Sequence, residues 1–316
     1  ITRRALTGDS FFRSVETMNI AITGATGFLG RYIVRQLASQ GHICRCWYRS
    51  GSDRGGFEGE EERIEWVPGE LGDTRTTRSL VEGCSAVVHS ALFHPGGGFR
   101  GGEGNIVEYV ERNVLGSLRL IDTARRAGAS RFVFISTCAV HDRILEDRPL
   151  DETHPTWTTT HYGAHKAAIE QFVYSYGLGS GYPICALRPT GIYGLARPVD
   201  RSKWFGLVQA VARGEDVECT GGGKEVHAAD VARAVGLLLN AGSVAGEVYN
   251  CYDSYVSHYE VASIARAISD SKSRIGGEPS RPKNQIATDK LRRLGMEFGG
   301  RALLEATIRA MLEAAG

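Results

Sequence analysis

Apolar positions along this chain fall in short runs separated by amphipathic stretches, and their alternation predicts strands and helices in turn. Met18 to Ile22 reads as a strand, and Phe28 to Gln40 as an amphipathic helix that Gly41 stops. Ile43 to Arg49 is a second strand and Ile64 to Val67 a short third, after which Asp73 can cap a helix over roughly Thr76 to Glu82. Ala86 to His89 is apolar throughout, as a strand covered on both faces should be. A long helix from about Ile106 to Ala127, a strand Arg131 to Ser136, another long helix Tyr162 to Gly177 and a strand Ile184 to Arg188 continue the series.

Strand and helix in strict alternation, with right-handed crossovers, predict a doubly wound parallel Rossmann-type α/β sheet. Beyond Gly191 the alternation weakens, although Val231 to Asn240 and Glu247 to Cys251 look like a return to it. We therefore expect a dinucleotide-binding domain over 18–190, with return segments at about 227–250. A smaller substrate-binding lobe of loops, turns and short helices would come from 191–226 and 251–316. Residues 1–17, charged and without an apolar core, read as an N-terminal extension outside the fold, not as a secretory signal. The stretch Pro95 to Gly104 holds six glycines and reads as a loop, either a lid or a surface insertion.

The chain has 316 residues, 42% hydrophobic and 23% charged, an ordinary soluble composition. Its 37 basic and 36 acidic side chains leave a formal charge of +1, which gives no electrostatic case for nucleic acid or an anionic membrane. No apolar run approaches the roughly 18 residues that cross a bilayer. The seven cysteines form no C-x-x-C pair and sit mostly in apolar runs, so they read as reduced residues of a cytoplasmic protein. His89, His94, His161, His165 and His227 lack metal-ligand spacing, and no metal is expected.

Chemistry enters with Thr23-Gly24-Ala25-Thr26-Gly27-Phe28-Leu29-Gly30, set between the first strand and its helix. Gly24 permits a tight turn, Gly27 a close backbone approach to phosphate, and Gly30 close packing of helix on sheet. With Thr26, Phe28 and Leu29, these residues form a cradle for a dinucleotide pyrophosphate at a helix N-terminus. A second element is Tyr162-Gly163-Ala164-His165-Lys166, whose Tyr and Lys share one helix face. A phenol with pKa near 10 needs about 4 kcal/mol to act as a base at neutrality. One cation about 4 Å away supplies that at an effective dielectric near 20. Lys166, aided by an oxidised nicotinamide, is thus expected to lower the Tyr162 pKa. Thr137, just past the fifth strand, stands where open α/β sheets bind ligands and is expected to hold a substrate oxygen, with Ser136 the second choice.

These elements, with VVHSAL (87–92), NVLGS (113–117), LRPTGIYG (187–194), VHAADVARAV (226–235) and the tail RPKNQIATDKLRRLG (281–295), resemble the extended short-chain dehydrogenase/reductase family, the NAD(P)-dependent epimerase/dehydratase group. The resemblance implies Thr137, Tyr162 and Lys166 as catalytic residues, Lys166 also binding the nicotinamide ribose, and Asn113 as a structural and proton-relay residue. It implies Ser90, Ala91 and Leu92 along the cofactor, with Pro189, Thr190 and Ile192 near the nicotinamide. Gly191 replaces an asparagine common in members that bind nucleotide sugars, and Gly223, followed by Lys224, stands where they carry arginine. Arg281 matches a family arginine that meets a diphosphate. Members that dehydrate carry an acidic pair after the catalytic Ser/Thr; Cys138 and Ala139 here disfavour dehydration.

The second strand ends Tyr48-Arg49-Ser50 with no carboxylate before Asp53, so Arg49, beside Ser50, favours NADP over NAD. Glu70 and Leu71, after the third strand, are expected near the adenine, and His94 near the substrate. The reading is an NAD(P)-dependent oxidoreductase or epimerase working on a sugar, nucleotide sugar or related small molecule, and a homodimer through its long helices. An NADPH-dependent reductase of a non-sugar carbonyl, or a non-catalytic dinucleotide sensor, is the alternative.

Overall fold

The computed structural model describes residues 17–96 and 101–314. The expected N-terminal extension, apart from Thr17, and four residues of the glycine-rich stretch lie outside the described residues.

In chain order the first elements are β1 (Asn19–Thr23), α1 (Phe28–Ser39), β2 (Ile43–Tyr48), β3 (Ile64–Pro68), α2 (Thr74–Val81) and β4 (Ala86–His89). Then come α3 (Ile106–Val110), a π-helical turn (Glu111–Leu115), α4 (Gly116–Arg126), β5 (Arg131–Ile135), α5 (His161–Ser180) and β6 (Ile184–Pro189). The second part has β7 (Gly191–Tyr193), α6 (Phe205–Ala212), β8 (Val217–Cys219), β9 (Gly222–His227), α7 (Ala228–Asn240) and β10 (Glu247–Cys251). It closes with β11 (Ser254–Ser257), α8 (His258–Ser269), β12 (Ile275–Gly277), α9 (Asp289–Arg292) and α10 (Gly300–Glu313).

Seven strands form the main sheet in the order β3-β2-β1-β4-β5-β6-β10, every pair parallel. The doubly wound sheet expected from the sequence is thus present. Its order reverses between β1 and β4, which opens a crevice at the carboxyl ends of those strands. Strand residues alternate between two cores. Ile20, Ile22, Val133 and Leu187 pack under α1 and α7, whereas Ala21, Phe132, Phe134 and Ala186 pack under the helices of the other face. Both faces are buried, which is why apolar residues run through the middle of these strands on both sides.

After Pro189 the chain leaves the sheet. β7, β9 and β11 form a three-stranded sheet, and β12 pairs with β8. A third core, including Val208, Val261, Ile264, Leu304, Ile308 and Met311, lies beneath α6, α8 and α10. The sequence pattern suggested short helices here, but α8 has 12 residues and α10 has 14. Ser257 caps α8 by accepting from the Glu260 amide at 3.1 Å, a Ser-x-x-Glu signal legible in the sequence. α10 has no such signal, because its N-cap is Gly299 with no side-chain cap.

Candidate active site

The glycine turn is built as its composition requires. Gly24 has φ +75°, and a Cβ there would stand 2.8 Å from both the Ala91 amide nitrogen and the Ser90 hydroxyl. At Gly30 a Cβ would collide with the Gly24 carbonyl oxygen, so the first turn of α1 rests directly on the loop. α1 starts from Gly27 with no side-chain cap and no acidic residue in its first turn. Its leading N–H groups are therefore available to an anion. Gly24 and Gly27 border two chambers of the crevice, of about 330 Å³ and about 630 Å³. This backbone cradle, which a side chain would fill, fits a dinucleotide pyrophosphate.

The smaller chamber receives the end of β2. Thr26, Arg49, Glu70, Leu71 and the segment Ser90 to Leu92 line it, while Ser50 lies in an adjoining outer cleft. Arg54, which the sequence reading passed over, lies with its guanidinium 4.5 Å from the ring centre of Tyr48, beside Arg49. Glu70 is paired with Arg112 at 3.3 Å. Asn113 sits in the π-helical turn, buried, accepting from the Phe93 amide at 2.8 Å and donating to the Phe93 carbonyl at 2.9 Å. Both ends of its amide are used on that backbone, which fixes the segment at Phe93 beside the cradle.

The larger chamber joins the cradle to Thr137, Tyr162 and Lys166, with Pro189, Thr190 and Ile192 on its far side. Thr160 caps α5 by accepting from the Gly163 amide at 3.1 Å. A Cβ on Gly163 would lie 2.8 Å from the Ala139 carbonyl oxygen, so the start of α5 presses on the turn after Thr137. That close approach brings the Thr137 and Tyr162 hydroxyls into a hydrogen bond. Ser136 points the other way and donates to Glu170 at 2.5 Å. The Thr190 hydroxyl oxygen, buried in the chamber wall, has no hydrogen-bond partner among the described residues, which leaves it free to bond a ligand group.

One of the sequence expectations is corrected here. Burial raises the Tyr162 pKa above the ordinary phenol value, opposed by the Thr137 hydrogen bond, and Lys166 is not among the causes. Lys166 itself is buried, donates to the Ile135 carbonyl at 2.8 Å and lies 4.7 Å from the ring centre of Phe134. Burial pulls its pKa down to about 7, against the pull of Glu170. His141, also lining the chamber, is lowered to about 4 by burial and by Arg188, so it is neutral there.

The substrate expectations divide. Gly191 lines the larger chamber, and a Cβ there would lie 2.6 Å from a Glu225 carboxylate oxygen, so a larger residue would require that carboxylate to shift. His94 and Arg281 line neither chamber. Lys224, which follows Gly223, does line the larger one, and Leu150, Ile144 and Ile286 give that chamber an apolar wall. Their roles were not legible, since Leu150 and Ile286 meet only through a bridge between distant loops. No cluster of His, Cys, Asp or Glu suited to a metal occurs among the described residues.

A family model described as the NAD dependent epimerase/dehydratase family matches residues 20–251. UDP-glucose 4-epimerase of Rhizobium leguminosarum bv. trifolii is 32% identical over 159 residues, 50% of this chain and 46% of that protein. The 3 beta-hydroxysteroid dehydrogenase/Delta 5-->4-isomerase of Mycobacterium tuberculosis is 28% identical over 207 residues, 64% of this chain and 53% of its own. The chain spans about half the length of these curated relatives. Among solved structures, UDP-glucose 4-epimerase of Thermotoga maritima with UDP-glucose superposes with a TM-score of 0.76 at 21% identity, covering 94% of this chain and 98% of that one. UDP-glucose 4-epimerase of Thermus thermophilus in complex with NAD gives 0.73 at 22%, covering 94% and 98%. Both structural likenesses speak to the fold alone.

The low Lys166 pKa has a consequence for stability. An unfolded lysine titrates near 10.5 and the folded one near 7, so between those values the unfolded chain binds the extra proton. Stability from this group therefore rises as pH climbs through that window. Lys166→Met should be more stable than wild type near pH 6, and its advantage should shrink by up to about 1.4 kcal/mol per pH unit above 7. Chemical denaturation at several pH values measures this, and a difference independent of pH refutes it.

Proposed function

As the chain belongs to the NAD-dependent epimerase/dehydratase family, we propose that it is an NAD(P)-dependent oxidoreductase or epimerase of the extended short-chain dehydrogenase/reductase type. It works at a secondary alcohol or carbonyl carbon of a sugar, nucleotide sugar or related small molecule. The observation that carries this reading is the Thr137–Tyr162 hydrogen bond, with Lys166 one helical turn on, in the chamber that opens from the glycine cradle.

A bound nicotinamide supplies or accepts the hydride. The first turn of α1 would hold its pyrophosphate, and Lys166, fixed against the Ile135 carbonyl, would meet the ribose hydroxyls. Thr137 orients the substrate oxygen. Tyr162, kept protonated by its raised pKa, gives its proton to a carbonyl oxygen as the carbon takes the hydride, and the reverse reaction returns both. Return of hydride to the same carbon on its other face makes the enzyme an epimerase; release after one transfer makes it a dehydrogenase or reductase. Dehydration is disfavoured, since Cys138 and Ala139 stand directly after Thr137, where dehydrating members carry an acidic pair. A non-sugar carbonyl substrate is the second reading, favoured by the apolar wall at Ile144, Leu150 and Ile286.

NADP is the preferred cofactor in this reading, because Arg49 and Arg54 flank the end of β2 and the nearby Glu70 is paired with Arg112. The free cysteines fit the cytoplasm, and no described helix is long and apolar enough to cross a membrane. Exposed Val107, Val110 and Leu115, with Phe172 on α5, support a homodimer through the long helices.

Tyr162→Phe should abolish turnover of a sugar-nucleotide and hydroxy-carbonyl panel, read by nicotinamide absorbance, with cofactor binding intact; retained turnover rejects the mechanism. Arg49→Glu should weaken NADPH binding about tenfold or more with little effect on NADH, and tighter NADH binding by the wild type would overturn the preference. Light scattering that finds a monomer at micromolar concentration rejects the dimer.

A further inference from the structure

The larger chamber holds a cation that the hydride-transfer chemistry does not use. Lys224, on β9, is half-buried and lines the chamber. No hydrogen bond or ion pair engages its ammonium among the described residues. Its neighbour Glu225 faces the opposite side of the strand, where Lys203 pairs with it at 2.5 Å. Cys138, the residue that follows Thr137, lines the same chamber. Burial lowers the Lys224 pKa, which means that the charged form gains from any anion placed beside it.

The rest of the wall narrows what that anion belongs to. Lys166 and Lys224 are the cations lining this chamber among the described residues, and Lys166 is already held at the Ile135 carbonyl. Asp142 is the carboxylate there, and it accepts from the Thr159 amide at 2.8 Å and the Thr159 hydroxyl at 3.1 Å. The same chamber is lined by Leu150 and Ile286 of an apolar cluster, with Cys138 and Ile144 packed against it. A diphosphate would bring two or more charges, yet Gly191 and Gly223 have no side chain to offer it and Arg281 lines neither chamber. One unpaired ammonium beside a hydrocarbon wall matches one negative charge on an apolar skeleton.

Resting on the hydride-transfer reading above, we propose that the substrate is a hydroxy- or oxo-carboxylate with a largely apolar skeleton. Its carboxylate is taken by Lys224 while its carbinol or carbonyl oxygen meets Thr137 and Tyr162. Lys224 is then a specificity-determining residue that orients the reacting carbon.

The test is calorimetry on the full chain, with and without NADPH, using 3-hydroxyhexanoate, its methyl ester and UDP-glucose as probes. The acid should bind at least about tenfold more tightly than the ester or UDP-glucose. Lys224→Met should weaken the acid by a similar factor and leave the ester unchanged, whereas Lys224→Arg should retain most of the affinity. Thermal melts of both variants check that they fold. Tighter binding of UDP-glucose, no binding of the acid, or acid binding indifferent to Lys224→Met overturns the proposal. Acid binding that depends on Lys224 in a chain whose Tyr162→Phe variant still turns over substrate would sink the hydride-transfer mechanism and leave this subsite standing.

Discussion

The ion pair between Arg188 and Glu170 is the constraint around which the catalytic end of this molecule is arranged. Both side chains are fully buried, joined by bonds of 2.9 Å and 2.7 Å between guanidinium and carboxylate. Two charges withdrawn from water are tolerated only where geometry is good and the remaining groups are satisfied. Here Ser136 donates to the same carboxylate, and the guanidinium reaches the His141 ring and the Glu152 carbonyl, each at 3.3 Å. Removing one partner of such a pair costs about 3–5 kcal/mol, because the other charge is stranded.

The pair ties β5, β6 and α5 together at the points where the site begins. Ser136 precedes Thr137, Glu170 follows Lys166 by one helical turn, and Arg188 precedes Pro189. Thr137, Lys166 and Pro189, which line the chamber, are thus each one step, or one turn, from a residue locked in the network. The same reasoning explains why Ser136 and Thr137 divide their work: an extended chain turns neighbouring side chains to opposite sides, one into the network and one toward Tyr162. At the cofactor end the same service is done by uncharged groups, with Asn113 clamping the Phe93 backbone and Gly30 seated on the Gly24 carbonyl.

Much of this was legible from residues alone. The parallel sheet followed from apolar runs at 20–22, 86–89 and 184–187, and the cradle from the spacing of Gly24, Gly27 and Gly30 after the first strand. The Tyr162–Lys166 pairing followed from helical spacing. Other features were not legible. Glu170 and Arg188 are 18 residues apart on different elements, and nothing local marks either as a buried charge. The direction of the Tyr162 pKa was not legible either, because it depends on desolvation that only burial reveals.

Local physics, then, determined the order of elements, the glycine turn and which side chains share a helix face, since each depends on neighbours within about one turn or one strand. Tertiary structure decided the rest. It set which hydroxyl of the Ser136-Thr137 pair meets Tyr162, and that Lys166 titrates near 7. It left Arg281 outside the chamber and Lys224 within it. Those outcomes rest on burial and on contacts between segments far apart in the chain, and both come into being only when the sheet, its helices and the C-terminal segments close on one another.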